Sequence, residues 1–428
     1  MKKKILALTL ALALSVSMFA ACGGAPASTP AAPTESKPVE SKPAETVELT
    51  LGSWRTDDVA QMTSLLAEYK KVAPNVNITF QPTNPPDYNA TLRLQLDGGT
   101  GPDLMYARSY ATGEELFDTG YFADCSAIPG LKENFTASNL APWQTKDGKM
   151  FAVPFAAVSH AVYYNKDIFE KEGLKIPETW EDFIALCKTL KDKGITPLAN
   201  GVADEWDILE CFFLGMLPNY VGGATERVKY ESKEKKLNDE AFVKAFTAIG
   251  EVAPYLPTGF ESVTYNDSQV LFNTQKSAMF IDGSWTAGVY KDATFKWGVF
   301  AIPAPKGGKT AITFHPDMAI TMNAATKHPN EATAFLAWLC TKDGATTASA
   351  NLPVGYFPMI NFPITLADEH ANEFLALNTG KETDARFVWP KLMDWYAPMN
   401  QAVIGVLKGD LTPQKAADSI ETFTPAAK

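Results

Sequence analysis

Hydrophobic and polar residues alternate in two short stretches after about residue 46. Val47, Leu49 and Leu51 alternate with polar residues in the first stretch, and residues 76–80 repeat the pattern. Successive side chains of a strand point to opposite faces, so this period of two predicts half-buried β-strands. A third strand is predicted over residues 103–107.

The segments between these strands have a helical period instead. Val59, Met62, Leu66 and Tyr69 recur at helical spacing, and a second helix is predicted over residues 87–97. The predicted order is therefore βαβαβ, which implies parallel strands joined by helical crossovers. Ligands in such sheets bind beyond the carboxyl ends of the strands.

The remainder of the chain continues as an α/β protein. Thr179–Asp182 has the form of a capping box, and Phe183, Cys187 and Leu190 follow on one helical face, with Gly194 as the stop. Further helices are predicted up to about residue 246 and over 331–341, and a strand is predicted over 297–302. The predicted fold class is α/β throughout.

The first 21 residues have the form of a secretory signal peptide: lysines, then an apolar stretch, then small residues. The apolar stretch is short for a membrane span. Phe19-Ala20-Ala21-Cys22 resembles a bacterial lipobox, in which a signal peptidase cuts before a cysteine that becomes lipidated. The alternative is an ordinary secreted protein with a chance cysteine at the cut. We expect Cys22 to carry the lipid.

Residues 23–46 contain no aromatic residue and one large aliphatic residue, Val39. This composition cannot bury enough apolar surface to offset the entropy of ordering, so we expect a disordered tether over residues 22–46. Lipid, tether and globular body together predict an extracytoplasmic protein anchored to the cell membrane.

Composition limits the other classes. A net charge of -11 makes nucleic acid an unexpected partner, and about 380 folded residues are more than one core usually supports, which predicts two lobes. Cys125, Cys187, Cys211 and Cys340 are too widely spaced for a zinc site. We expect them to be buried hydrophobic residues, with disulfides as the alternative, and we predict no metal or other cofactor.

Several segments together resemble the extracellular solute-binding proteins of ABC transporters, specifically the carbohydrate-binding group of the maltose-binding type (family 1). Their order and spacing over about residues 47–420 carry the resemblance. The segments are Gly99–Asp103, Val153–Phe155, Tyr163–Asp167, Pro177–Trp180, Ser277–Phe280, Gly283–Trp285 and Gly409–Pro413.

The resemblance implies a two-lobe clamp of the periplasmic-binding-protein type (type II), with discontinuous lobes joined by three hinge crossings near residues 155–159, 300–305 and 351–356. The implied boundaries are 47–155 and 306–351 for lobe 1, and 156–305 and 352–428 for lobe 2. The implied activity is binding of a sugar and its delivery to ABC permease subunits, by a protein that we expect to be a monomer.

A sugar site needs aromatic rings for the C–H faces and polar groups for the hydroxyls, because a buried hydroxyl without a partner costs about 1 to 3 kcal/mol. The resemblance makes Trp285 a stacking platform. It also places an aromatic and a polar contact near residues 106–108, and a second stacking aromatic near the C-terminus. The full candidate set is Trp285, Trp206, Arg55, Tyr106, Arg108, Asp282, Glu205, Trp395, Tyr396 and Arg386.

Some assignments stay open at this stage. Asp282 either accepts sugar hydroxyls or caps the segment that follows it. One of Trp395 and Tyr396 is expected to face the cleft. His160 and His315 are interpreted as structural residues, because a lone histidine usually is one.

The sequence lacks the motifs that would indicate a catalytic function. The sequence contains no His-Glu-x-x-His and no Gly-x-Ser-x-Gly. Gly307–Thr310 has part of a phosphate-loop pattern, but Pro303 occupies the position of the required glycine. The expected function is binding. The alternatives are the same clamp holding a polyamine, a peptide or another non-sugar solute, and, more remotely, a secreted glycoside hydrolase with two carboxylates.

Overall fold

A computed structural model of the protein describes residues 45–425, apart from the side chains of Pro85 and Pro86. The predicted signal segment, Cys22 and nearly all of the predicted tether lie outside the described residues. Residues 426–428 lie outside them as well.

The strands of the described part of the chain form one mixed sheet. Its main path runs β2-β1-β3-β8-β4-β6-β5, while β7 and β9 pair with β4 and β10 pairs with β8. The strands are β1 Val47–Ser53, β2 Val76–Pro82, β3 Leu104–Ala107, β4 Val153–Asn165, β5 Thr196–Leu198, β6 Ser277–Gly283, β7 Trp297–Phe300, β8 Ala311–Met322, β9 Phe357–Pro358 and β10 Glu382–Asp384. Strand β1 is parallel to both β2 and β3, which confirms the predicted βαβαβ unit.

Helices connect and cover these strands. They are α1 Val59–Val72, α2 Pro85–Asp97, α3 Tyr110–Asp118, α4 Ala137–Leu140, α5 Lys166–Glu172, α6 Trp180–Asp192, α7 Leu214–Met216, α8 Pro218–Val221, α9 Ala224–Glu231, α10 Glu240–Glu251, α11 Tyr265–Asn273, α12 Pro329–Leu339, α13 Lys342–Ala350, α14 Glu369–Asn378, α15 Tyr396–Leu407 and α16 Pro413–Thr422. Helix α6 begins with the predicted capping box between Thr179 and Asp182. Trp206–Phe213 forms a π-helical segment, which the sequence did not predict.

Strand β4 is the longest strand and has four partners. Its first half, up to Ser159, pairs with β8 and briefly with β9. Its second half, from His160 onward, pairs with β6 and β7. Two consecutive parts of one strand therefore belong to two different groups of strands.

Within residues 45–425, the buried hydrophobic side chains form three clusters. One is built mainly from residues 49–158 and 318–359. A second is built mainly from residues 162–302 and 387–420. A smaller third cluster lies around Phe272, Tyr290 and Phe374.

The cysteines in the described part of the chain are all buried and free, which confirms the interpretation of Cys125, Cys187, Cys211 and Cys340 as small hydrophobic residues. Among residues 45–425, no helix combines the length and the apolar character that crossing a bilayer requires.

Candidate functional site

Three indole rings surround the guanidinium of Arg386, which follows β10 and is fully buried. The guanidinium carbon lies 5.1 Å from the ring centroid of Trp285, 5.2 Å from that of Trp206 and 5.8 Å from that of Trp389. We call these three tryptophans the indole cage. Its members come from three distant parts of the chain: the end of β6, the start of the π-helical segment and the loop after β10.

Glu210 balances the charge of Arg386. Arg386 Nη1 lies 2.7 Å from Glu210 Oε2, and both side chains are almost fully buried. Burial raises the pKa of Glu210, while Arg386 and a hydrogen bond from Tyr396 lower it. Burial also opposes the charge of Arg386, but Glu210 and then Asp317 raise its pKa above the ordinary value. Arg386 and Glu210 therefore stabilise each other's charged forms against the effect of burial.

Two neutral histidines complete this side of the site. His160 Nε2 accepts a hydrogen bond from Arg386 Nε at 3.4 Å, which places the ring proton on Nδ1, 3.3 Å from the Thr313 carbonyl oxygen. The His315 ring lies edge-on to Trp389 at 5.0 Å. Burial, followed by the nearby charge of Arg386, lowers the pKa of both histidines well below the ordinary value.

Hydrogen bonds and close packing fix the position of the Trp285 ring. Its Nε1 donates to the Tyr265 hydroxyl at 2.6 Å, and that hydroxyl lies 3.0 Å from Asp282 Oδ2. The Thr286 hydroxyl donates to the same carboxylate at 2.6 Å. Burial raises the pKa of Asp282 to about 6, against the hydrogen bonds that lower it. The indole also packs across Gly283, where a Cβ atom would lie 1.9 Å from the ring.

Arg108 approaches the cage from the carboxyl end of β3, as expected for a ligand-binding edge. Its guanidinium carbon lies 3.7 Å from the ring centroid of Trp54 and 6.0 Å from that of Trp206. Arg55 lies nearby and pairs with Asp58 at 2.8 Å, with its guanidinium 5.2 Å from the Tyr356 ring centroid.

Several buried polar atoms around the cage have no hydrogen-bond partner within residues 45–425. They are Arg108 Nε, Arg386 Nη2, Trp389 Nε1 and both ring nitrogens of His315. Leaving such a group unpaired costs about 1 to 3 kcal/mol, so their concentration beside aromatic faces is typical of a polar ligand site. The described residues hold no group of His, Cys, Asp and Glu side chains that could bind a metal ion.

The structure brings five predicted site residues together: Trp285, Trp206, Arg386, Arg108 and Tyr396. Arg55 lies beside them. Glu205 is exposed at the edge, where its charge helps to raise the pKa of Tyr396.

Three other predicted residues do not reach the cage. Tyr106 is only 1% exposed, with its hydroxyl 3.2 Å from Met62 Sδ, because the end of β3 packs into the first core. Trp395 donates to the Ile420 carbonyl oxygen at 2.9 Å and packs in the second core. Asp282 lies behind Trp285 and is fully buried, and its carboxylate accepts hydrogen bonds from Gly283 N and from the hydroxyls of Thr286 and Tyr265.

Sequence reasoning missed Glu210, Trp389 and Tyr265, which contact the predicted site residues Arg386 and Trp285. Glu210 lies four residues after Trp206. Residues at this spacing lie on the same face of a helix, so a helix that begins near Trp206 would have predicted that the two side chains are neighbours. Trp389 lies three residues after Arg386, and this short separation likewise indicated that the two side chains could be neighbours. Nothing in the sequence connected Tyr265 with Trp285.

The family model of bacterial extracellular solute-binding proteins matches residues 52–346. The multiple sugar-binding protein of Streptococcus mutans is 26% identical over 343 residues, which cover 77% of this chain and 78% of that protein. The maltotriose-binding protein of Pyrococcus abyssi is 26% identical over 368 residues, which cover 81% of this chain and 72% of that protein.

Solved structures agree on the fold. The bacterial solute receptor AcbH superposes with a TM-score of 0.78 at 19% identity, covering 88% of this chain and 98% of that one. The solute-binding protein RafE in complex with raffinose superposes with a TM-score of 0.72 at 23% identity and the same two coverages. These matches confirm the predicted α/β fold of the periplasmic-binding-protein type.

The match to a family of solute-binding proteins confirms the expectation that this protein binds a solute and is not an enzyme. Since the family match covers more than half of the chain, this protein belongs to the bacterial extracellular solute-binding proteins.

Proposed function

We propose that this chain is an extracytoplasmic receptor that binds a sugar or an oligosaccharide between two lobes and delivers it to the permease of an ABC transporter. The observation that carries the proposal is the indole cage around Arg386, with unpartnered polar atoms at its edge. Indole faces fit the C–H faces of a pyranose ring, and the polar atoms fit its hydroxyl groups. Relatives named for multiple sugars and for maltotriose support this class of ligand.

The two-lobe division is part of the proposal, with one boundary moved. Ala311 N donates to Asn219 Oδ1 at 2.8 Å, and the Thr313 hydroxyl donates to the Leu214 carbonyl oxygen at 2.9 Å, so the start of β8 contacts the second core. Met318 belongs to the first core. We therefore place the second crossing within residues 313–318 instead of 300–305, and keep those in β4 and near residues 351–356.

Closure of such a clamp follows from differential affinity. A ligand that contacts groups from both lobes binds the closed arrangement more tightly than the open one and shifts the population toward it. The receptor works as a monomer, and a lipid on Cys22 with the tether to residue 46 keeps it at the membrane near its permease.

A thermal-shift screen of the full chain tests the binding function. Maltotriose, raffinose, galactose, spermidine and a tripeptide form the panel, and mannitol controls for stabilisation by any hydroxyl-rich solute. A sugar at 100 times its dissociation constant adds about 2.7 kcal/mol to the unfolding free energy. We expect at least one sugar to raise the melting temperature well above mannitol. Stabilisation by spermidine and by no sugar would overturn the proposal.

A further inference from the structure

Four of the five arginines in the chain lie within 4 Å of a carboxylate. The ion pairs are Arg55 with Asp58, Arg93 with Asp97 and Glu115, Arg227 with Asp384 and Glu231, and Arg386 with Glu210. This is the expected pattern, because a buried charge is costly unless it is paired.

Arg108 is the exception. It is only 7% exposed, and its guanidinium lies against the face of Trp54. Within residues 45–425 no carboxylate oxygen reaches it within 4 Å, and its Nε has no hydrogen-bond partner. The residue therefore carries a buried charge with unused donors, directly beside the indole cage.

A second unpaired charge lies on the neighbouring strand. Asp317 is 5% exposed, and among the described residues it makes no ion pair and no side-chain hydrogen bond. Ala107 of β3 pairs with Ala319 of β8, so Arg108 and Asp317 lie at the adjoining ends of this strand pair. Burial lowers the pKa of Arg108, and Asp317 is the largest influence that opposes this shift.

We propose that Arg108 and Asp317 bind the same ring of the ligand from two sides and restrict the site to uncharged sugars. A hydroxyl group can accept from the guanidinium and donate to the carboxylate, which a carboxylate or ammonium group cannot do at once. The proposal deepens the sugar-receptor function and rests on it.

The remaining charges near this position are already balanced. Arg386 pairs with Glu210, Arg55 pairs with Asp58, and the two histidines are neutral. Arg108 and Asp317 carry opposite charges, so an added uronate or ammonium group would leave the buried site with a net charge. Buried charge of either sign would then lack compensation, so both kinds of sugar are rejected.

Matched trisaccharides test the inference by calorimetric titration of the full chain. Galactotriose and cellotriose are neutral, tri-galacturonate is their acidic counterpart, and the glucosamine trimer is the cationic one. The variants are Asp317→Asn and Arg108→Gln. Asp103→Asn is the control: it removes one acid at the other end of β3, where the carboxylate accepts from Thr50 and Thr326.

We expect the unmodified chain and Asp103→Asn to bind a neutral trisaccharide and neither charged one. Asp317→Asn should weaken neutral binding roughly 10-fold to 100-fold, as for a lost hydrogen bond to a charged group, and should admit tri-galacturonate. Arg108→Gln should instead admit the glucosamine trimer. A melting curve of each variant verifies that it is folded.

The opposing outcomes are distinct. If the unmodified chain binds tri-galacturonate or the glucosamine trimer as tightly as a neutral trisaccharide, this inference fails and the sugar-receptor function stands. If both folded variants keep the original selectivity, Arg108 and Asp317 are structural and the inference also fails. If no trisaccharide binds to the unmodified chain and no sugar of the thermal-shift panel stabilises it, the inference fails together with the function on which it rests.

Discussion

Trp285 donates its indole N–H to the hydroxyl of Tyr265 at 2.6 Å, and Tyr265 in turn contacts the buried carboxylate of Asp282. The indole ring of Trp285 is therefore oriented by a residue that need not touch the ligand.

Tyr265→Phe removes the acceptor of the Trp285 N–H and leaves that buried group without a partner, while Asp282 keeps its hydrogen bonds from Gly283 and Thr286. We expect a loss of about 1 to 3 kcal/mol in stability and roughly 5-fold to 30-fold in sugar affinity, since the indole loses its fixed orientation. Tyr230→Phe is the control, because Tyr230 donates to Asp239 at 2.7 Å outside the cage. Chemical denaturation and ligand titration measure both quantities. Equal affinity in the two variants would contradict the orienting role.

Trp285→Ala should reduce both affinity and stability. Loss of a stacking surface costs roughly 30-fold to 1000-fold in affinity, as for other aromatic hot spots. Because Trp285 is only 8% exposed, removal of the ring should also cost about 3 kcal/mol of unfolding free energy. Trp180→Ala is the control, a buried tryptophan that donates to Glu251 at 2.8 Å. Trp180→Ala should lower the unfolding free energy and leave the sugar affinity unchanged. An equal loss of affinity in Trp180→Ala would refute the role of Trp285 as a stacking platform.

Gly283→Ala should act through the position of the indole. The φ angle of Gly283 is -81°, which any residue adopts, so only the contact of the new Cβ with the Trp285 ring is unfavourable. We expect at least a roughly 10-fold loss of sugar affinity from the displaced ring. Gly288→Ala is the control in the same turn, since its Cβ would have open space except for Val354 at 3.9 Å. Affinity that survives Gly283→Ala would show that the ring position is unimportant.

Asp282→Asn should change how stability depends on pH. Burial raises the pKa of Asp282 from 3.8 to about 6, so the folded state holds this proton more tightly than the unfolded state does. The penalty for the buried charge is absent below pH 4, grows between pH 4 and pH 6 and stays constant above, reaching about 3 kcal/mol. Relative to Asp282→Asn, the unmodified chain should lose stability across this window in denaturant titrations. A constant difference would contradict the raised pKa.

Cys22→Ser tests the membrane anchor. If Cys22 accepts the lipid, the variant should lose labelling by a palmitate analogue and membrane retention, while sugar affinity stays unchanged. Cys125→Ser is the control. Because Cys125 is buried and should not carry a lipid, this variant should be labelled and retained at the membrane like the unmodified chain. Labelling that persists in Cys22→Ser would disprove the lipobox interpretation.

Local patterns predicted local structure well. The βαβαβ unit and the start of α6 depend on side chains within a few residues of one another, so periodicity and a capping box were sufficient. The indole cage depends on contacts between segments that are far apart in the chain, such as those of Trp206 and Trp285 with Arg386. Single-sequence patterns carry no information about such contacts. The resemblance supplied Trp285 but could not separate Tyr396 from Trp395, because facing the cleft or the core depends on how the first turn of α15 packs.

The double membership of β4 has a consequence for how the domain melts. One strand supplies ladder hydrogen bonds to both groups of strands, so unfolding of either core releases one half of β4 and frees one end of the half that the other core still holds. Chains of this length commonly unfold in steps, one domain at a time. Here the continuous strand makes partial unfolding costly, and it couples the two cores into a single cooperative unit.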